Sequence, residues 1–324
     1  MDSINREIVA DNLVKRYGDF AAVDGVSFKV ESGEIFGFLG PNGAGKSTTV
    51  QMLTTLGLPT SGRATVGGYD IVSQAADVRR IAGVALQDIG LDPIMKSLEL
   101  LTIQGQLFGE TRRDALKRAH KLLDIVKLSE YKDRRVGKYS GGMRRRLDLA
   151  LALVHRPEIL FLDEPTTGLD PASRRDIWAE VRRLNREYNM TIFLTTQYLE
   201  EADELADRIA IINRGQIVSE GQPAALKAAL GKESVNVTLR DTVSAERAAE
   251  TLKDMFEKTQ IDRRTVRLYR ANAAEVVPAV VNRLTSADLE AVSLTLTQPT
   301  LDDVFLEVTG QRFEVEEESV PAEA

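Results

Sequence analysis

Between Glu7 and about Leu230, short apolar runs alternate with longer stretches whose apolar positions recur at helical spacing. An α/β sheet with crossover helices reads this way along a chain. The pattern predicts strands at Ile8 to Leu13, Ile35 to Leu39, Val84 to Leu86, Ile159 to Leu162, Ile192 to Leu194 and Ile209 to Ile212. From Leu98 to Leu128 the rhythm changes. Leu98, Leu101, Leu107, Leu116, Leu122, Leu123 and Val126 keep helical spacing with no strand between them, which predicts an inserted helical subdomain. A further helix, opened by Pro223 and closed by Gly231, ends this region.

Beyond Gly231 the pattern restarts. It predicts a strand at Val235 to Leu239, a helix at Ala245 to Phe256, a strand at Val266 to Tyr269, a helix at Ala274 to Leu284 and a strand at Leu289 to Leu296. A last helix begins in TLDDVFLEVTG, with Thr300 and Asp303 as a capping pair and Gly310 as its stop. After it, Glu314, Glu316, Glu317, Glu318 and Glu323 stand among few apolar residues and predict a disordered acidic tail.

Length fits this division, since 324 residues exceed the range of a single hydrophobic core. The expectation is a domain over 1–230 with a helical subdomain at about 92–155, a small α+β domain over 231–310, and the tail over 311–324. A net charge of −7 opposes non-specific attraction to nucleic acid or anionic lipid, so no nucleic acid partner is expected. With no cysteine and only His120 and His155, any metal is expected to be a hard cation held by oxygen. The N-terminus lacks the apolar core of a secretory signal and no apolar stretch approaches a membrane span, so a cytoplasmic chain is expected.

The chemistry enters at IFGFLGPNGAGKSTT, where a predicted strand runs directly into Gly40, Pro41, Asn42, Gly43, Ala44, Gly45, Lys46, Ser47 and Thr48. This satisfies G-x-x-x-x-G-K-[ST] in the strand-to-helix context the motif needs. Glycines let backbone N–H groups wrap phosphate oxygens, and the following helix turns its positive end toward them. Lys46 adds a point charge for the β and γ phosphates, and the Ser47 hydroxyl suits Mg²⁺. Downstream, Ile159 to Leu162 is a buried-strand run ending in Asp163 and Glu164, at the sheet edge where α/β folds place ligands. Asp163 is the candidate Mg²⁺ partner, and Glu164 the candidate that orients and deprotonates the attacking water.

Between these motifs stands Tyr139-Ser140-Gly141-Gly142-Met143, opening a predicted helix to about His155. The order of the motifs resembles the ABC ATPases, and residues 7 to 230 look like their cassette throughout. The resemblance implies a P-loop NTPase of the α/β class, with ATP and Mg²⁺. It implies that Tyr17 stacks on adenine, that Gln87 touches Mg²⁺ and water and couples to a membrane subunit, and that Asp170 of Gly168-Leu169-Asp170 reaches the partner site. In this family two cassettes meet head to tail, so Ser140, Gly141 and Gly142 of one chain complete the loop site of another, here most simply in a homodimer. The family usually places a histidine after the strand matching Ile192 to Thr195. This chain has Gln197 there, which can hydrogen-bond phosphate or water but cannot become cationic near neutral pH.

YSGGMRRRLDLA, DEPTTGLDP, TTQYLEEAD and the closing PTLDDVFLEVTG resemble a narrower group, the daunorubicin-resistance-type drug-export ATPases. That implies a separate integral membrane permease, attachment at the inner face of the membrane through it, and export of a drug, antibiotic, lipid or other hydrophobic compound. The alternatives are an ABC ATPase acting on ribosomes or DNA, a regulatory ATPase whose C-terminal domain senses a ligand, and a P-loop kinase. The first usually carries tandem cassettes or a long coiled coil, and the last has no use for the Ser140 helix. Arg144, Arg145 and Arg146 cannot all face one site from a single helical turn, so at least two are expected on a solvated or partner-facing surface.

Overall fold

The computed structural model describes residues 5–87, 90–231 and 233–311, so most of the predicted acidic tail lies outside the described residues. The chain divides between Ser219 and Glu220 into two compact units.

The first unit holds two sheets. One is antiparallel, ordered β2-β1-β4-β5, from β1 (Ile8–Tyr17), β2 (Phe20–Val30), β4 (Ser61–Val66) and β5 (Tyr69–Asp70). The other is ordered β10-β9-β3-β8-β7-β6, from β3 (Ile35–Leu39), β6 (Ala82–Ala85), β7 (Ile159–Asp163), β8 (Thr191–Thr196), β9 (Arg208–Asn213) and β10 (Gln216–Gly221). Pairing is parallel from β9 through β6.

Sequence pattern locates the parallel strands because they are buried on both faces and read as unbroken apolar runs. Phe36, Phe38, Ile159, Phe161 and Phe193 face one side, while Ile35, Leu160, Leu162, Ile192 and Leu194 face the other. The pattern missed β2, β4 and β10. These carry Asp24 and Gly25, Gly62 and Arg63, and Glu220, and strands with a wet face lose the apolar signal.

Helix α1 (Lys46–Leu53) follows β3, and α2 (Ala75–Ile81) precedes β6. The inserted helices are α3 (Ser97–Leu107), α4 (Arg112–Ile125) and α5 (Gly141–Ala152), packed on one another as their spacing predicts. Helices α6 (Pro171–Tyr188) and α7 (Leu199–Leu205) flank β8.

The second unit is α+β. An antiparallel sheet ordered β12-β13-β11-β14 is built from β11 (Glu233–Thr238), β12 (Lys258–Asp262), β13 (Thr265–Arg270) and β14 (Ser293–Thr297). Helices α9 (Thr242–Leu252) and α10 (Ala273–Ser286) pack on it, and α8 (Pro223–Ala228) packs on α11 (Leu301–Thr309). The helix opened by Pro223, expected at the end of the first domain, thus goes with the second unit. The strand expected over Leu289 to Leu296 is confined to Ser293–Thr297. Thr300 and Asp303 form the expected capping box, and Gly310 ends α11 at φ +70°.

Phe193 touches Phe28, Phe36, Phe38 and Phe161, with centroids 5.4–5.8 Å apart, and so ties the antiparallel sheet to the parallel one. Phe193→Ala is expected to cost about 3–5 kcal/mol, and Leu58→Ala, on an exposed side chain, no more than about 0.5. Urea unfolding followed by Trp178, the single tryptophan, reads this unit; equal midpoints for the two variants would show the ring cluster to be dispensable.

Candidate functional site

At the end of β3 the chain turns into the loop Gly40 to Gly45. Gly40 N–H donates to the Thr196 carbonyl at 3.2 Å, and Gly215 N–H to that of Ala44 at 2.9 Å, so the loop is fastened to the sheet edge. A Cβ on Gly40 would lie 2.4 Å from the Ile212 carbonyl oxygen. On Gly45, at φ +106°, it would lie 2.4 Å from that of Ala22. These glycines are therefore demanded by the protein's own packing. Helix α1 starts at Lys46 with no side-chain cap, which leaves its first N–H groups available to an anion.

Lys46 Nζ donates to the carbonyls of Gly40 at 2.8 Å and Pro41 at 3.0 Å, and lies 3.1 Å from Glu164 Oε1. Both side chains are only 4% exposed. Burial lowers the Lys46 pKa, against the pull of the Glu164 and Asp163 carboxylates. Glu164 sits at φ +49°, a left-handed conformation that costs a residue with a side chain about 1–2 kcal/mol. Its N–H donates to both the carbonyl and the Oγ1 of Thr195 at 3.1 Å, and Thr167 Oγ1 donates to its Oε2 at 3.3 Å.

Asp163 lies beneath. Thr195 Oγ1 makes a short bond to its Oδ1, and Ser47 Oγ donates to the same oxygen at 3.2 Å. Burial raises the Asp163 pKa against these two hydroxyls. The described residues hold no cluster of three His, Cys, Asp or Glu able to cage a metal. A hydroxyl and a carboxylate side by side instead fit Mg²⁺, which takes one or two protein ligands and completes its shell with phosphates and water.

Tyr17, Asn42, Gly43, Gly45, Lys46, Ser47, Thr48, Gln87, Glu164 and Gln197 line one cavity of about 420 Å³. Gly40, Pro41 and Ala44 of the same loop, and Asp163, do not line it. Phe20 and Ala22 also line it and were not singled out from the sequence. The hairpin turn RYGDF, with Gly18 at φ +58°, was the available signal. Tyr17 and Phe20 are 53% and 62% exposed at the rim, as an aromatic platform for a planar ring requires. Thr195, missed as well, is a buried threonine whose role only its partners reveal.

Ser140, Gly141, Gly142 and Asp170 do not line this cavity. Ser140 caps α5 through Met143 N–H at 3.3 Å, and Asp170 caps α6 through the N–H groups of Ala172 and Ser173 at 3.0 Å. The two caps are neighbours, since a Cβ on Gly142 would meet Ser173 Oγ at 2.9 Å. Of the three arginines on α5, Arg144 is exposed and Arg146 half-buried, while Arg145 is buried. His155 stacks on Phe108 at 4.2 Å and bonds the Ala82 carbonyl. His120 and His155 are both absent from the cavity lining.

Residues 23–167 match the ABC transporter family, and residues 221–309 match the C-terminal domain of DrrA1-3-like ATP-binding proteins. The chain is 43% identical to a daunorubicin resistance ATP-binding protein of Streptomyces coeruleorubidus, over 96% of this chain and 98% of that one. It is 37% identical to a linearmycin resistance ATP-binding protein of Bacillus subtilis, over 93% and 98%. A dimeric ATP-binding cassette in a post-hydrolysis state with ADP and Pi superposes at TM-score 0.61 and 25% identity, covering 66% of this chain and 98% of that one.

Burial pushes the Asp148 carboxyl up to about 6, against the Arg145 guanidinium 3.4 Å away. A carboxyl with a raised folded-state pKa destabilises increasingly as pH rises from about 4 through 6, and the cost stays constant above. Asp148→Asn, which also takes from buried Arg145 its neighbouring carboxylate, is therefore expected to gain roughly 1–3 kcal/mol on the parent between pH 4 and pH 8. Urea unfolding of both proteins at the two pH values checks this; a difference independent of pH would count against it.

Proposed function

We propose that this chain, which belongs to the ABC transporter family and within it to the daunorubicin-resistance-type ATP-binding proteins, energises export of a drug, antibiotic, lipid or other hydrophobic compound through a separate permease. It is an ATPase. Lys46, buried against Glu164 at the mouth of an uncapped helix, is the observation that carries the site.

In this reading the backbone of Gly40 to Gly45 and the first turn of α1 hold the phosphates. Lys46 leaves the Gly40 and Pro41 carbonyls for the β and γ phosphates, while Tyr17 and Phe20 flank the base. Ser47, Asp163 and Gln87 would hold Mg²⁺, whose charge would offset that of the phosphates. Lys46 in turning to phosphate frees the Glu164 carboxylate, which orients the attacking water and takes its proton; Gln197 hydrogen-bonds that water or the γ-phosphate.

The Ser140 and Asp170 caps stand outside their own chain's cavity, which supports a site shared with a second copy. Ser140, Gly141, Gly142 and Asp170 of one copy then close over ATP held by the other. Two cassettes would be drawn together by ATP and released by its hydrolysis.

No helix among the described residues is long and apolar enough to cross a membrane, so the permease supplies the passage. An apolar surface supports its docking to the helical subdomain. Ile94, Ile103, Leu107 and Phe108 are exposed in or beside α3, and Phe108 also lines a groove of about 490 Å³ with Gln104 and Leu151. The chain would thus sit at the inner face of the membrane.

Glu164→Gln is expected to bind ATP, to hydrolyse it about 10²–10⁴-fold more slowly and to accumulate a dimer in sedimentation. Loss of nucleotide binding in that variant would remove Glu164 from a purely catalytic role. Gln197→Ala is expected to slow turnover about 10²-fold, as does loss of one donor to a developing charge; unchanged turnover removes Gln197 from the site. Cells given this chain with the permease of the neighbouring reading frame should lose a hydrophobic compound faster than cells given Lys46→Ala, and equal rates would sink the export reading.

A further inference from the structure

Arg145 takes no part in the cavity, yet its guanidinium is spent almost wholly on the backbone around it. Nε donates to the Pro165 carbonyl at 2.8 Å, one Nη to that of Asp163 at 2.7 Å, and the other Nη to that of Leu86 at 2.5 Å. The last nitrogen also meets Asp148 Oδ2 at 3.4 Å. Asp163 and Pro165 are the residues on either side of Glu164, and Leu86 directly precedes Gln87. One side chain therefore brackets the left-handed peptide of Glu164 and grips the segment leading to Gln87. It does so from α5, the helix that Ser140 caps.

Only arginine fits this task. Its planar fork presents several donors at fixed angles, so it can satisfy carbonyls from two separate segments at once, whereas lysine offers a single point charge. A cation only 6% exposed with one carboxylate beside it is costly to bury unless its hydrogen bonds are satisfied. A mere surface or packing role would not call for one.

From this we infer that Arg145 is a positioning residue for hydrolysis. It ties the α5 helix, whose N-terminus faces a partner's nucleotide, to the catalytic carboxylate and the Gln87 segment of its own chain. The half-site a chain offers and the half-site it uses then move as one body. The inference rests on the reading of Glu164 and of the shared site given above.

The test is a double-mutant cycle on the full chain, with single-turnover ATP hydrolysis at excess protein, ATP affinity and thermal melting read for each protein. Arg145→Lys keeps the charge and is expected to hydrolyse at least about tenfold more slowly, with ATP affinity within about twofold of the parent. In a Glu164→Gln background the same change is expected to leave the residual rate unaltered, because the carboxylate it positions is gone. Parent-like hydrolysis by Arg145→Lys overturns the inference. So does an equal loss in both backgrounds, or a loss of ATP affinity matching the loss of rate, since both describe general damage. If Arg145→Lys does not fold, Arg145→Gln, which keeps donors without charge, is put through the same cycle and judged by the same outcomes. Parent-like hydrolysis by Glu164→Gln alone overturns the assignment of Glu164, and the role of Arg145 falls with it.

Discussion

The register of three neighbouring parallel strands carries the rest of the site. In β3, β8 and β7, Leu39 pairs with Thr196 and Asp163 with Thr195, so all three strands end at one level. The phosphate loop leaves from the first; Thr196, whose carbonyl holds the loop, and Thr195, which holds Asp163 and Glu164, come from the second; and the two carboxylates leave from the third. A slip of one residue in β8 would turn Thr195 to the other face and leave both Asp163 and the Glu164 N–H without their shared partner. The aromatic packing about Phe193 makes such a slip expensive, and in that sense the core beneath the sheet edge sets the chemistry above it.

That edge gathers buried charge. Lys46, Asp163, Glu164 and Arg145 are each nearly inaccessible, and Glu201, fully buried, takes bonds from Thr166 and Trp178 with a pKa raised by burial. Groups of this kind are tolerated because each finds an opposite charge or several hydrogen bonds. The arrangement also makes the site responsive. Lys46 is held by two carbonyls and a carboxylate, all of which a phosphate can replace, so under the proposed function a nucleotide would exchange bonds already present.

The two caps at Ser140 and Asp170 complement this. Each accepts one or two N–H groups of its own helix and stands beside the other, outside the cavity. Within one chain they serve as helix caps, and their place outside the cavity supports the head-to-tail reading.

Much of this was legible in the amino-acid order. The loop from Gly40 to Thr48, Asp163 and Glu164 could be read because backbone wrapping of phosphate demands particular residues at particular spacings, and because doubly buried strands are continuous apolar runs. The α11 capping box was legible for the same local reason. Strands with one wet face, such as β2 and β4, were not, since their alternation is broken by Gly and charged residues where the chain bends. Tertiary structure alone decided which of three adjacent arginines is buried, that Thr195 serves both Asp163 and Glu164, and that Phe20 joins Tyr17 at the rim. Each of those facts depends on what lies across space from a residue, and spacing along a chain carries no record of that.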